Sequence, residues 1–201
     1  KVDKMPITYT NRKGRTYYLC QGVTKTGKPR YYFTTTAEEN RVERIPEGYV
    51  ISESVNGIVS LAKERLLLIL EREVTMVKKA IQKHPRAKNY RVSVKPDRIE
   101  IYEHVGTDLG DLFTGLQKEG LLKLDANLKG RLQAAERVYG QFTPVMRFIV
   151  ADEQQRLFRA QRMCYRGSID DWIDIDYGKS IDAMTSRLIP KLGTEAFFEL
   201  F

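Results

Sequence analysis

The sequence predicts an α+β protein: a small basic antiparallel β unit, a long bridging helix, then a mixed antiparallel sheet with helices. Three observations carry the prediction. Residues 16–62 alternate aromatic and β-branched runs with glycine-containing turns. Residues 65–83 repeat apolar side chains at helical spacing, and the chain after Tyr90 returns to a period of two before further helical patterns. The expected domains are 1–62, a basic four-stranded β unit, and 63–201, an α+β domain led by a helix over 65–84.

In chain order, Asn11-Arg12-Lys13-Gly14 reads as a turn leading into TYYLCQGVTKTGKPRYYFTTT (Thr16–Thr36). There, two strand-forming runs flank Thr-Lys-Thr-Gly, the composition of a hairpin with a four- or five-residue loop. A second hairpin is expected over Tyr49–Ala62, where Val55-Asn56-Gly57 supplies positive-φ residues between YVIS and IVSLA. Between the hairpins, Ala37–Gly48 is charged and turn-rich and reads as a loop with at most one helical turn. In RLLLILEREVTMVKKAIQK (Arg65–Lys83) the apolar residues fall on one side at 100° per residue and the charged ones on the other, an amphipathic helix. His84-Pro85 should end it, since proline lacks a donor and pushes its predecessor out of the helical region.

Beyond it, Tyr90, Val92 and Val94, then Ile99 and Ile101, alternate with polar residues around Pro96-Asp97, a half-buried hairpin. Asp108–Glu119 and Asp125–Tyr139 read as helices closed by Gly120 and Gly140. Val145–Ala151, Arg156–Tyr165 and Asp171–Tyr177 read as a three-stranded meander, because DEQQ and RGSID make natural turns. Asp152-x-x-Gln155 also has the form of a capping box that would open a helix at Arg156. Ser180–Ile189 should be a helix stopped by Pro190, with Thr194 capping a last helix that carries Phe197, Phe198 and Phe201.

With 42% hydrophobic residues in 201, the chain can bury a substantial core, so disorder is excluded. The apolar run Leu66–Leu70 stops at Glu71, too short to cross a bilayer, so no membrane role is expected. Two distant cysteines, Cys20 and Cys164, suit free thiols in a reducing compartment, the cytoplasm. The net charge of +8 is concentrated: residues 1–36 hold eight Lys and Arg against one acidic residue, a net +7, while the rest is near neutral. Such a segment attracts polyanions.

The candidate site follows from that charge. Arg12, Lys13, Arg15, Lys25, Lys28 and Arg30 are interleaved with Tyr17 and Tyr32 among other aromatics; cations neutralise phosphates and ring faces stack bases. Adjacent pairs such as Tyr17-Tyr18 and Tyr31-Tyr32 must place aromatics on both faces of a sheet, one of them core. The expected function is a nucleic-acid-binding accessory protein for DNA or RNA, with a homo-oligomer or protein partner as a further expectation. Gly22-x4-Gly27-Lys28 has the spacing of a phosphate-binding loop, but Pro29 replaces the magnesium-binding Ser/Thr and a strand follows, so it reads as a hairpin loop. The alternative function is a metal-dependent hydrolase, a nuclease among them, using Asp170, Asp174 and Asp176 on one strand face; a protein-interaction subunit is the third. Two histidines and two separated cysteines make no zinc cluster, and no cofactor is expected.

Two pairings can be predicted as well. The Arg166–Ile169 loop sets a register in which Tyr165 faces Asp170, Gln161 faces Asp174 and Arg159 faces Asp176. Glu73 lies within the apolar stripe of the central helix, so it should be buried with a cation, either Arg162 or Arg147.

Overall fold

A computed structural model describes residues 5–36, 40–106, 113, 115, 117–119, 126–166 and 169–200. By its internal contacts the chain divides into two compact units, residues 1–65 with 134–139 and residues 66–133 with 140–201. The fold is α+β with every described sheet antiparallel.

The first unit holds β1 (Thr8–Thr10), β2 (Thr16–Val23), β3 (Pro29–Thr34), β4 (Tyr49–Glu53) and β5 (Val59–Lys63). β1, β2 and β3 form one sheet in that order, and β4 pairs with β5 in another. Among the described residues there are thus five strands rather than the four expected; the addition, β1, is only three residues, too short to show a period. Its three hairpin turns share one design. In Asn11–Arg15, Thr24–Lys28 and Ser54–Ile58 the first residue's N–H donates to the fifth's carbonyl at 2.9, 2.8 and 2.9 Å. The first residue's side-chain oxygen accepts the fifth's N–H, at 3.0 Å each time. The fourth position is Gly14, Gly27 or Gly57 at φ +73°, +78° and +78°, the left-handed conformation a three-residue hairpin loop needs there. Residues 40–42 run extended rather than as the helical turn allowed for above. Arg41 bridges Cys20, and Asn40 and Val42 exchange backbone hydrogen bonds with Gln21 and Leu19.

The second unit is a five-stranded meander ordered β10-β9-β8-β7-β6, with β6 (Tyr90–Lys95), β7 (Arg98–Val105), β8 (Gln141–Asp152), β9 (Leu157–Arg166) and β10 (Ile169–Lys179). Helix α1 (Glu71–Lys83) packs on β6 and on α3 (Ile181–Leu188), which also meets β9 and β10. A short α4 (Glu195–Phe198) closes the chain, and α2 (Ala126–Tyr139) precedes β8. Ile99, Ile101, Met146, Phe148, Phe158 and Ala160 of the sheet are fully buried with Val77 of α1 and Met184 and Leu188 of α3. Of the helix expected over Asp108–Glu119, Leu109, Leu112 and Leu116 lie outside the described residues; Phe113, Gly115, Gln117 and Lys118 are helical. Among the described residues no helix is long and apolar enough to cross a membrane.

Helix α1 starts at Glu71, not Arg65. The apolar spacing does continue through 65–70, but the backbone there is committed elsewhere: Leu68 N–H donates to Pro96 O at 2.7 Å, and Leu68 O accepts from Arg156 at 3.0 Å. Leu66 is consequently 81% exposed while Ile69 is buried. Glu73, two residues into the helix, accepts the Leu70 N–H at 2.9 Å and so supplies the acidic half of a capping box.

Glu73 is buried, 2% exposed, and paired with an arginine as expected, but with Arg156 rather than Arg162 or Arg147. Arg156 Nε and Nη2 reach the two carboxylate oxygens at 2.9 and 2.6 Å, a bidentate fork. Arg156 sits in the β8–β9 turn at φ +53°, the one non-glycine residue in the left-handed region among those described. Arg162 does face the core, but donates to the carbonyls of Leu200 and Phe198 at 3.1 and 2.8 Å. Arg147 points the other way, because Met146 and Phe148 take the core positions of β8.

Candidate nucleic-acid interface

The turn geometry places the cations expected to bind phosphate. Arg12, Lys13 and Arg15 lie in the β1–β2 turn, and Lys25 and Lys28 in the β2–β3 turn, with Arg30 following on β3. These turns are at opposite ends of β2, eight residues long, and so about 25 Å apart at roughly 3.3 Å per residue. The candidate residues therefore form two clusters, not one. Glu53 occupies the first: its Oε1 accepts the Arg12 N–H at 3.1 Å and lies 3.9 Å from Arg12 Nε, while its Oε2 accepts the Tyr9 hydroxyl at 2.9 Å. That hydrogen bond, then burial, raises the Tyr9 pKa. Among the described residues no acidic side chain pairs with Lys13, Arg15, Lys25, Lys28 or Arg30.

Strand register separates the two candidate tyrosines. Residues directly opposite in an antiparallel pair share a face, as do residues two apart on one strand. Tyr17 pairs with Tyr9 and shares the face of fully buried Leu19, opposite Phe33. Tyr32 pairs with Cys20, and Arg30 with Gly22, on the other face. The bridge from Cys20 to Arg41 adds a third member to that row, Arg41–Cys20–Tyr32. The Arg41 guanidinium stands 5.8 Å over the Tyr18 ring, and Asn40 donates to the Tyr32 hydroxyl at 2.9 Å. The Cys20 face thus collects Arg30, Arg41, Tyr18 and Tyr32, all partly or largely exposed, around a buried thiol. Arg41 was not singled out from the sequence, and Tyr18 was named only among the aromatics around the cations, not as a binding residue. Tyr18 could have been found by alternation from Cys20; Arg41 carries no local signal, because its pairing with β2 spans a connection of charged residues.

The acidic strand is arranged differently from the hydrolase expectation. Tyr165 faces Asp170 and Gln161 faces Asp174, but the register slips between Asp174 and Asp176, so Asp176 stands opposite Ala160 and Arg159 opposite Tyr177. The extra residue at Ile175 is a bulge, invisible to a count of alternating positions. Arg159 Nε lies 3.6 Å from Asp174 Oδ1 instead, and Gln161 Nε2 donates to the same oxygen at 2.9 Å. Asp176 takes Arg187 at 2.5 Å and Lys179 at 3.1 Å. Burial alone would raise its carboxyl, but hydrogen bonds from Arg187, Lys179 and the Tyr177 N–H outweigh it and hold the pKa below the ordinary value. Among the described residues no three His, Cys, Asp or Glu side chains gather as a metal ion would require.

No protein-family model, curated protein or solved structure matches this chain.

Proposed function

We propose that the protein binds nucleic acid through the Cys20 face of its N-terminal sheet, with Arg30 and Arg41 on phosphates and Tyr18 and Tyr32 against sugars or bases. The Arg41–Cys20–Tyr32 row supports this most directly, because it sets a guanidinium and a ring on either side of one small residue of a strand-backed surface. Lys25 and Lys28 extend the same positive region from the adjoining turn. None of these cations is neutralised by a described acid, so each remains available to displace counterions. Cys20 and Cys164 are thiols rather than a disulfide, which supports a reducing compartment, the cytoplasm.

The test is fluorescence polarisation with labelled single- and double-stranded DNA and RNA over a range of salt. Affinity should fall with a log–log slope of roughly −0.7 to −0.9 per phosphate contact, and a double Arg30→Ala, Arg41→Ala variant should flatten that slope by about two contacts. Arg12→Ala, already engaged by Glu53, should change it least. Absence of binding to all four probes at low salt would end the proposal.

A further inference from the structure

The face of the five-stranded sheet opposite its core carries one continuous row of directly paired residues: Ser93, Glu100, Arg147, Gln161 and Asp174, one from each strand. At its centre Arg147 is held from two sides. Its guanidinium lies 4.1 Å over the Trp172 ring, and its Nε donates to Gln161 Oε1 at 2.7 Å. Gln161 is itself buried, and its orientation is fixed by the hydrogen bond from its Nε2 to Asp174. Nε and the ring plane are thus occupied, whereas both Nη groups of Arg147 are without a hydrogen-bond partner among the described residues.

Ile149, two residues further along β8, is flanked in register by Arg98 and Arg159, so each is a diagonal neighbour of Arg147. Cross-strand diagonals lie roughly 7–8 Å apart, within reach of long side chains. The two flanking arginines have their own carboxylates. Arg98 Nη1 and Nε bind Asp97 at 2.8 Å and Glu100 at 2.7 Å, and Arg159 has Asp174. Arg147 has none. Burial first, then the positive charges of Arg98 and Arg159, lower its pKa, partly offset by Glu100 and Asp97. A guanidinium in that setting is stabilised by an anion that uses its open fork, and a stacked, pre-oriented fork loses little freedom on binding.

We infer that Arg147 anchors a phosphoryl-binding site on the outer face of this sheet, its paired Nη–H donors taking two phosphate oxygens with Arg159 as the adjoining cation. The site is independent of the nucleic-acid interface proposed for the first unit. Trp172 is the only tryptophan in the chain and lies under the anchor, so its fluorescence reads occupancy directly. The 201-residue chain is titrated at constant ionic strength with inorganic phosphate, a nucleoside 5′-monophosphate, acetate and chloride, with calorimetry in parallel for the variants. Saturable binding of both phosphoryl compounds is expected, with acetate and chloride at least tenfold weaker. A mononucleotide tighter than inorganic phosphate would identify a nucleotide ligand, and equal affinity a free phosphate. Arg147→Lys keeps the charge but not the fork and should weaken binding about tenfold; Arg159→Ala should weaken it less, and Arg30→Ala with Arg41→Ala not at all. A phosphate response no different from chloride or acetate, or one unchanged in Arg147→Lys, would overturn the assignment.

Discussion

The two units treat charge in opposite ways. In the second, the buried ionisable groups are closed by specific partners: Glu73 by Arg156 and the Leu70 N–H, Glu100 by Arg98 and Tyr102, Arg162 by two carbonyls. In the first, the cations stand on turns and an exposed sheet face, and among the described residues only Arg12 has an acidic partner. An interaction buried with good geometry is expensive to break, whereas an exposed charge contributes little to stability. The charges that hold the fold are therefore a different set from those free to meet a ligand.

The largest effect that would test this contrast is at Glu73. Glu73→Ala leaves Arg156 without its partner and Leu70 N–H without its acceptor, and should cost about 3–5 kcal/mol in urea unfolding, with Glu73→Gln milder. A combined Lys25→Ala, Lys28→Ala change should move the midpoint hardly at all; an equal loss in both would erase the distinction. Next comes Arg162→Met, which strands the carbonyls of Phe198 and Leu200 at about 1–3 kcal/mol for each one left buried without a donor. Its signature is faster proteolysis near α4, ahead of global unfolding.

Smaller effects sharpen the picture within the first unit. Gly27 and Gly57 have the same φ in the same turn design, so replacing either by alanine costs about 1–2 kcal/mol in backbone strain. A Cβ at Gly57 would also meet Asn11 Nδ2 at 3.2 Å and the Lys13 stem at 3.3 Å, while at Gly27 nothing lies within 4 Å. Gly57→Ala should therefore have the lower melting temperature of the two, and equal values would argue against the packed β1–β2 turn. Last is Asp176, whose carboxyl is held below its ordinary pKa. A depressed folded-state value means its contribution is complete above the unfolded pKa, near 4, and is lost as pH falls through the folded value. Asp176→Asn should flatten the acid limb of stability below about pH 4 and leave the neutral limb parallel to the parent.

What could be read from the sequence was whatever depends on local pattern. The β6–β7 hairpin was legible because one face is apolar and the other polar, and His84-Pro85 stopped α1 where expected. The start of α1 was not legible, since the residues that bind the backbone of Leu68 and keep 65–70 out of the helix, Pro96 and Arg156, are distant in the chain. The partner of Glu73 was missed for a related reason: inward-facing strand positions were considered, and Arg156 lies in a turn. At the proposed interface the cations were visible as composition. Their division between two ends of β2, and the joining of Arg41 to Tyr32 through Cys20, depend on register and on a bridge across residues 21–40. The Asp176 register failed because one bulged residue, Ile175, moves Asp176 and Tyr177 by one position against β9.

The repeated turn design has a consequence for how this chain tolerates change. Each loop assigns its conformational duties to the first and fourth residues, a short side chain with an oxygen and a glycine; in Asn11–Arg15 the third residue's N–H also donates to the first's side chain, Lys13 to Asn11 Oδ1 at 3.0 Å. At Thr24–Lys28 the second and third positions, Lys25 and Thr26, are exposed. Such positions behave as interchangeable inserts: a lysine or a neutral residue can be carried there while the hairpin keeps its register. The electrical character of the surface can then drift through many substitutions without the architecture registering them, and the three loops are natural places to graft one segment in place of another.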